Sequence, residues 1–227
     1  QPLGSWLSRT PLKMGCSTSK MEIQALTEAS GAPAMLLISN NLPLYEELIR
    51  ASLLSTTVVA VDYNSWTLED LKEAIETRAN GARYASVGLI DHGKPGDFCL
   101  LKCVAGGSVS TSELNSSPEI QALFKDLAQY VSPGGRIDLM ACSVAQNDTK
   151  MVDELKRITG VTVAASTDLT GGAMKGGDWV METIGKDVSG DYFEKAKLAR
   201  WQELAIDPGT ATIAAALIMG AATIVSA

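Results

Sequence analysis

The sequence predicts an α/β fold in which a mostly parallel sheet carries helices on both faces. Short apolar runs alternate along the chain with longer stretches whose apolar positions repeat at helical spacing. Strands that alternate with helices of roughly 10 to 15 residues form parallel sheets, because a parallel pair of strands needs a crossover connection. With 46% hydrophobic and 20% charged residues among 227, the chain has the composition of a globular domain with a buried core.

The apolar runs and helical patterns follow one another in a regular order. Strands of the sheet are predicted at residues 35–39, 57–62, 84–90, 136–141 and 161–165. Helices are predicted at residues 44–53, 66–78, 117–130 and 149–158. Thr67 and Asp70 form a capping-box pattern at the start of the second helix, and Pro118 stands at the first helical position of the third.

Two shorter segments complete the predicted domain. Residues 98–104 have the pattern of a small hairpin after the third strand. Residues 179–183, which begin with a tryptophan, are predicted to form an edge strand with one face in the core. We assign residues 34–190 to the α/β domain.

The N-terminal end differs from this domain in composition. No acid precedes Glu22, whereas Arg9 and Lys13 stand among small polar residues. Such a bias is typical of an organelle transit peptide or of the segment that follows its cleavage site. We predict an extended arm over residues 1–33, and a flexible arm of accidental composition is the alternative.

The C-terminal end has the pattern of a membrane anchor. Residues 208–227 carry no charge, and their number matches the roughly 20 residues that a helix needs to cross a bilayer. Ala216 and Gly220, one helical turn apart, present small side chains for close packing against another membrane helix. We predict a single transmembrane helix there, preceded by a juxtamembrane helix over residues 191–207. The basic residues of the latter indicate a stromal or cytosolic position for the domain. A soluble core helix is the alternative, since the segment is rich in Ala and Thr.

Two residues with catalytic chemistry follow neighbouring predicted strands. His92, the only histidine of the chain, comes after the third strand, and Cys142 comes after the fourth. Because sites of open parallel sheets form at the carboxyl ends of strands, we expect the two side chains to meet. An imidazole beside a thiol favours the thiolate, which attacks carbonyl carbon. The N–H groups of Gly93 and Cys142 are then candidates to bind the developing oxyanion. The alternative is a loop histidine bonded to backbone and an inert buried cysteine.

The order of these residues resembles that of caspase-like peptidases of the caspase–gingipain–legumain type. In those proteins a strand ending in His-Gly precedes a strand ending in Cys by about 50 residues. The caspase signature around the cysteine and the metacaspase acid before it are absent here. A closer resemblance is to a domain family of unknown function found near the N-termini of large bacterial adhesin and repeat proteins. It covers roughly residues 34–185 and is carried by the motifs SPGG (132–135), CSVA (142–145), AASTDLTG (164–171) and GGDW (176–179).

The resemblance implies a caspase-like fold and a role for two acids. Asp168 and Asp178 are expected to line a pocket for a basic side chain, as acids do in related peptidases. The alternative is that Asp168 caps a turn and Asp178 holds the glycine-rich loop in place.

Two functions follow as expectations. The first is a scaffold or linker in a larger membrane complex, whose partners are other subunits and the lipid bilayer. A thylakoid photosystem–antenna complex is a setting that fits the transit-like arm. The alternative is a membrane-tethered cysteine endopeptidase that uses His92 and Cys142. The net charge of −7 argues against nucleic acid as a partner. We expect no cofactor and no metal, because the sequence has no phosphate loop and no dinucleotide fingerprint, and Cys99 and Cys103 lack a second ligand pair.

Overall fold

The computed structural model describes residues 33–206 as a central sheet with helices packed around it. In chain order the elements are β1 (Ala34–Ser39), α1 (Tyr45–Ala51), β2 (Thr56–Val61), α2 (Leu68–Ala79), β3 (Tyr84–Ile90), β4 (Gly93–Lys94), β5 (Asp97–Cys99), β6 (Ser108–Ser110), α3 (Thr111–Ser116), α4 (Pro118–Gln129), β7 (Val131–Met140), α5 (Lys150–Thr159), β8 (Thr162–Ala165), β9 (Val180–Met181), β10 (Lys186–Asp187), α6 (Ser189–Tyr192) and α7 (Lys195–Leu198).

The main sheet has five strands in the order β2–β1–β3–β7–β8, and every neighbouring pair is parallel. The predicted α/β class with a mostly parallel sheet is therefore confirmed. Strand β7 begins at Val131 rather than at residue 136, and a register irregularity lies opposite its first half, between Tyr84 and Ser86 of β3. The carboxyl ends of β3 and β7 are in register, because Ile90 pairs with Met140.

Side chains at alternate positions of the strands belong to two separate hydrophobic clusters. In β1, Met35 and Leu37 belong to the first cluster, whereas Leu36 and Ile38 belong to the second. Helices α2, α3, α4 and α5 contribute to the first cluster, and α1, α6, α7 and the chain that follows them contribute to the second. The sheet thus has helices on both faces, as the strand pattern predicted.

The shorter segments differ from their predictions. The predicted hairpin is a three-stranded antiparallel sheet, in which β5 lies between β4 and β6. The predicted edge strand over residues 179–183 does not join the main sheet, because β9 pairs with β10 in a two-stranded sheet of its own. The Thr183 hydroxyl binds the backbone N–H and C=O of Ala165, so a side chain occupies the place that a further strand would take beside β8.

The region predicted as a juxtamembrane helix over residues 191–207 is not one continuous helix. Its described part holds the end of α6, then α7, and then an extended segment whose Leu204 and Ile206 form β-bridges. Phe193 breaks any helical path, since its φ of −128° and ψ of 149° are those of an extended strand.

No helix within residues 33–206 is both long and apolar enough to cross a bilayer. The predicted transmembrane helix over residues 208–227, including Ala216 and Gly220, lies outside the described residues. The predicted N-terminal arm also lies outside them, apart from its last residue, Pro33.

Candidate functional site

His92 and Cys142 lie at neighbouring strand ends, each two positions beyond the paired residues Ile90 and Met140. Both are buried, with 5% and 0% of their surface exposed. The site therefore forms at the carboxyl edge of the sheet between β3 and β7, where open parallel sheets place their sites.

The thiol of Cys142 is enclosed by the chain that follows β8. The backbone N–H of Thr170 donates to Sγ at 3.2 Å, and the thiol donates to the Thr170 carbonyl oxygen at 3.5 Å. Burial raises the pKa of the Cys142 thiol to about 12, because a thiolate there would lose its hydration. In this arrangement the side chain is a neutral thiol at pH 7.

The imidazole of His92 is held on the other side of β3. Its Nε2 lies 3.1 Å from the carbonyl oxygen of Asn41, just beyond β1. Because a carbonyl oxygen only accepts hydrogen bonds, Nε2 carries the proton, and Nδ1 is the basic nitrogen of the neutral ring. Nδ1 is buried and has no hydrogen-bond partner among the described residues. The pairing of His92 with Cys142 stays a prediction, since in residues 33–206 the two side chains bind backbone groups and not each other.

Asp91 is a buried carboxyl that the sequence reasoning missed. Its Oδ1 accepts from the backbone N–H of His92 at 2.7 Å and from the Asn41 side-chain amide at 3.3 Å. Burial raises the pKa of Asp91, and its hydrogen bonds and the imidazole of His92 oppose that rise. An acid directly before a lone histidine was the available signal in the sequence.

The backbone N–H groups of Gly93 and Cys142 converge on one oxygen atom. Both donate to the carbonyl oxygen of Ala205, at 3.0 and 2.9 Å. These distances are those of an oxyanion hole, in which two backbone donors bind the oxygen of a reacting carbonyl. Gly93 has to be a glycine here, because a Cβ atom would lie 2.7 Å from the Ala141 Cβ.

The bound carbonyl belongs to a short extended segment, residues 203–206, which lies across the edge of the sheet. The N–H of Gly172 donates to the Glu203 carbonyl at 2.7 Å, and the N–H of Ala205 donates to the Thr170 carbonyl at 3.0 Å. Antiparallel pairing of Leu204 with Gly171 and a parallel bridge from Ile206 to Gly93 complete the strand. Sequence reasoning missed this segment, because four residues are too few to show the alternation of apolar and polar side chains that identifies a strand.

The loop from residue 170 to 178 leaves room for the segment because it has glycine where the two backbones meet. A Cβ atom on Gly172 would lie 2.5 Å from the Gln202 Cα, and one on Gly171 would lie 2.4 Å from the Glu203 carbonyl oxygen. Such distances are far inside van der Waals contact, so this close approach requires glycine. The glycine doublet was the visible signal in the sequence for a close backbone neighbour.

The acids Asp168 and Asp178 lie beside the site in a cluster with Glu182. One carboxylate oxygen from each lies within 4.8 Å of the others, so these three are the described acids that are close enough to share a cation. Each has a local partner: Asp178 accepts from the Val180 N–H at 2.8 Å, Glu182 from the Thr167 N–H at 2.7 Å, and Asp168 from a serine hydroxyl. Burial, then the charges of Glu182 and Asp178, raises the pKa of Asp168. Within residues 33–206 none of the three forms an ion pair with a basic side chain, and their hydrogen bonds favour a role in holding the loop.

Comparison with known proteins places the chain in a family. No curated protein matches the chain. Among solved structures, it resembles the crystal structure of a "Putative oxidoreductase from Mycobacterium avium 104" with 11% identity and a TM-score of 0.33. That match covers 63% of this chain and 44% of the other, and at such a score it has no bearing on the fold or the function. The model of the family described as "Domain of unknown function (DUF4347)" matches residues 35–204, a range that includes the first two residues of the segment 203–206. The chain therefore belongs to this family of unknown function.

Proposed function

We propose that the domain is a cysteine endopeptidase of the caspase type, with Cys142 as its nucleophile and His92 as its base. The observation that supports this most is the binding of one carbonyl oxygen by the N–H groups of Gly93 and Cys142, next to a thiol. Acyl transfer to a cysteine needs two such donors for the oxyanion of its tetrahedral intermediate.

The roles of the two side chains follow from their chemistry. His92 Nδ1 takes the proton of the Cys142 thiol, and the thiolate attacks the carbonyl carbon of the substrate peptide bond. The imidazolium then gives the proton to the departing amine, and water hydrolyses the thioester, which restores the thiol. In the described arrangement the thiol is neutral and the N–H groups are occupied, so the reaction requires residues 203–206 to leave the site.

The direct test is cleavage of a fluorogenic peptide library by the purified full chain. We expect cleavage by the wild type that Cys142→Ala and His92→Ala abolish. Cys103→Ala is the matched control and should retain activity, since Cys103 is an exposed cysteine whose thiol donates to the Trp66 carbonyl oxygen and not to a group of the site. Cleavage that persists in Cys142→Ala, or no cleavage by any form of the chain, would contradict the proposal.

A second candidate is a scaffold or linker subunit of a membrane complex, possessing a peptidase-like domain and the predicted anchor over residues 208–227. The filling of the site by the chain itself favours this candidate, because Ala205 is fully buried and Cys142 is inaccessible. Its proposed partners are other membrane subunits and the lipid bilayer, with a thylakoid membrane as the proposed location.

The scaffold proposal has its own readout. Replacing Cys142 by alanine exchanges one small buried side chain for another, at roughly 1 kcal/mol of stability. We expect proteins that co-purify with the chain in mild detergent to be the same for the wild type and Cys142→Ala. Loss of those partners in Cys142→Ala, with the fold retained, would tie assembly to the thiol and contradict a purely structural role.

A further inference from the structure

We propose that the groove between the N–H groups of Gly93 and Cys142 and the 170–172 segment is a binding site for an extended peptide. The peptide has a small apolar side chain at the position whose carbonyl enters the oxyanion hole. Residues 203–206 occupy this groove as a ligand within the same chain. The inference rests on the proposed function in that it names the substrate class of the same site.

The groove binds its occupant through main-chain groups. Four backbone hydrogen bonds hold residues 203–206: two to the carbonyl oxygen of Ala205, one from the N–H of Ala205 to Thr170, and one from Gly172 to Glu203. The bonds are of the kind formed when a peptide adds as a strand, a mode in which the backbone provides affinity and alternate side chains provide specificity. Any extended peptide can form the same four bonds.

Glycine in the loop gives the groove its width. Cβ atoms on Gly171, Gly172 and Gly177 would lie 2.4 to 2.7 Å from atoms of residues 202–204. Gly171 and Gly172 face the backbone of residues 202 and 203, and Gly177 faces the Leu204 side chain. The three glycines together form a slot for this segment.

The side chains of residues 203–205 indicate which peptide side chain each position of the groove accepts. Ala205 has 0% of its surface exposed, so the position that presents its carbonyl accepts a small side chain only. Leu204 is half-buried and packs against the second hydrophobic cluster. Glu203 forms an ion pair with Lys175 on the surface, where such a pair contributes little free energy. We therefore expect this position of a bound peptide to accept different side chains.

Two buried polar atoms beside the groove have no hydrogen-bond partner among the described residues: Nδ1 of His92 and Oγ1 of Thr170. A buried polar atom without a partner destabilises the folded chain, because it has lost its hydrogen bonds to water. The internal ligand therefore leaves polar groups next to the bound carbonyl that a reacting peptide or water can satisfy.

Hydrogen exchange of the wild-type chain tests whether the segment behaves as a bound peptide. We expect the amides of Gly93, Cys142 and Ala205 to exchange by local opening, faster than those of Val87 and Ile137 in the centre of the sheet. Exchange of all five only through global unfolding, with the same dependence on denaturant, would make the segment part of the core and overturn the inference.

Binding in trans is the second test, with a fluorescent peptide of sequence Gln-Glu-Leu-Ala-Ile, which copies residues 202–206. In Ala205→Arg a long charged side chain cannot stay buried, so the groove opens to the peptide. Ala173→Arg is the matched control, because the same change is made at an exposed position of the adjoining loop. Since a tethered ligand competes at millimolar effective concentration, we expect Ala205→Arg to bind the peptide at least about tenfold more tightly than the wild type or the control.

The peptide Gln-Glu-Leu-Arg-Ile, with arginine at the buried position, should not bind any of these proteins. A folded Ala205→Arg chain, verified by circular dichroism, that fails to bind the alanine peptide would refute the inference. If that variant does not fold, the exchange experiment on the wild type decides. Binding without cleavage supports the groove and contradicts the endopeptidase, whereas cleavage that shows no preference for small residues supports the endopeptidase and contradicts the groove.

Discussion

Asp91 is one of the buried acids through which the stability of the fold is expected to depend on pH. Burial raises its pKa, so the folded chain holds this proton more tightly than the unfolded chain does. The resulting stability is fully present below the unfolded pKa of about 3.9 and is lost as the pH rises through the folded value. At pH 7 the unfolded carboxyl is ionised, so folding costs either the desolvation of this carboxylate or the uptake of a proton.

We therefore expect Asp91→Asn to increase the free energy of unfolding at pH 7 and to have little effect near pH 3. An asparagine Oδ1 can still accept from the His92 N–H. Urea denaturation at both pH values measures the difference. Asp126→Asn, which changes a half-exposed carboxylate on α4, is the control. A variant that is less stable than the wild type at pH 7 would show that the hydrogen bonds to the Asp91 carboxylate outweigh its desolvation.

The capping box at the start of helix α2 is a local sequence signal whose contribution to stability can be measured. The Thr67 hydroxyl accepts from the Asp70 N–H at 3.2 Å, and the Asp70 carboxylate accepts from the Thr67 N–H at 2.8 Å, which confirms the capping box predicted from the sequence. Removing the cap in Thr67→Ala should lower the free energy of unfolding by about 1 kcal/mol. Thr77→Ala, within the same helix and exposed, should leave it unchanged or slightly higher, since alanine favours helix. Equal effects of the two changes would contradict a specific role for the cap.

The strand formed by residues 203–206 tests an element that depends on long-range contacts. A Cβ atom on Gly172 would lie 2.5 Å from the Gln202 backbone, so Gly172→Ala should destabilise the chain by about 1–3 kcal/mol. The same change should speed hydrogen exchange at Ala205. Gly190→Ala is the control, because its Cβ would approach only the end of a lysine side chain, at 3.8 Å. If Gly172→Ala has the stability of the wild type and the same hydrogen exchange at Ala205, the loop can shift to accept a Cβ atom, and the glycine slot is not needed to hold the segment.

At the level of the whole molecule, the predicted anchor over residues 208–227 can be tested by membrane extraction. We expect the full chain to remain with membranes after alkaline carbonate extraction, since residues 208–227 have the length and apolar character of a bilayer-spanning helix. A chain truncated after residue 207 should be released. If the full chain and the truncated chain partition identically, residues 208–227 do not anchor the protein.

Local patterns were sufficient to predict much of this domain. The apolar run of residues 84–90 predicts a strand, and the capping residues of α2 bind groups only three positions away. Because these signals are local in sequence, both structures could be inferred without tertiary information. The placement of His92 and Cys142 at one edge followed from the rule that parallel strands present their carboxyl ends together. The fold class and the sheet edge at which the two residues lie were accessible in this way.

Tertiary structure alone decided what these groups contact. The Ala205 carbonyl binds Gly93 and Cys142, which are distant from it in sequence, and such a pairing leaves no periodic signal in either segment. The orientation of the His92 ring toward Asn41 likewise depends on a loop after a different strand. Local sequence determines which elements form, because their hydrogen bonds and apolar faces are local. Packing between distant segments determines which carbonyl the N–H groups of Gly93 and Cys142 bind and whether the Cys142 thiol is exposed. There the backbone of one segment must fit the glycine slot of another.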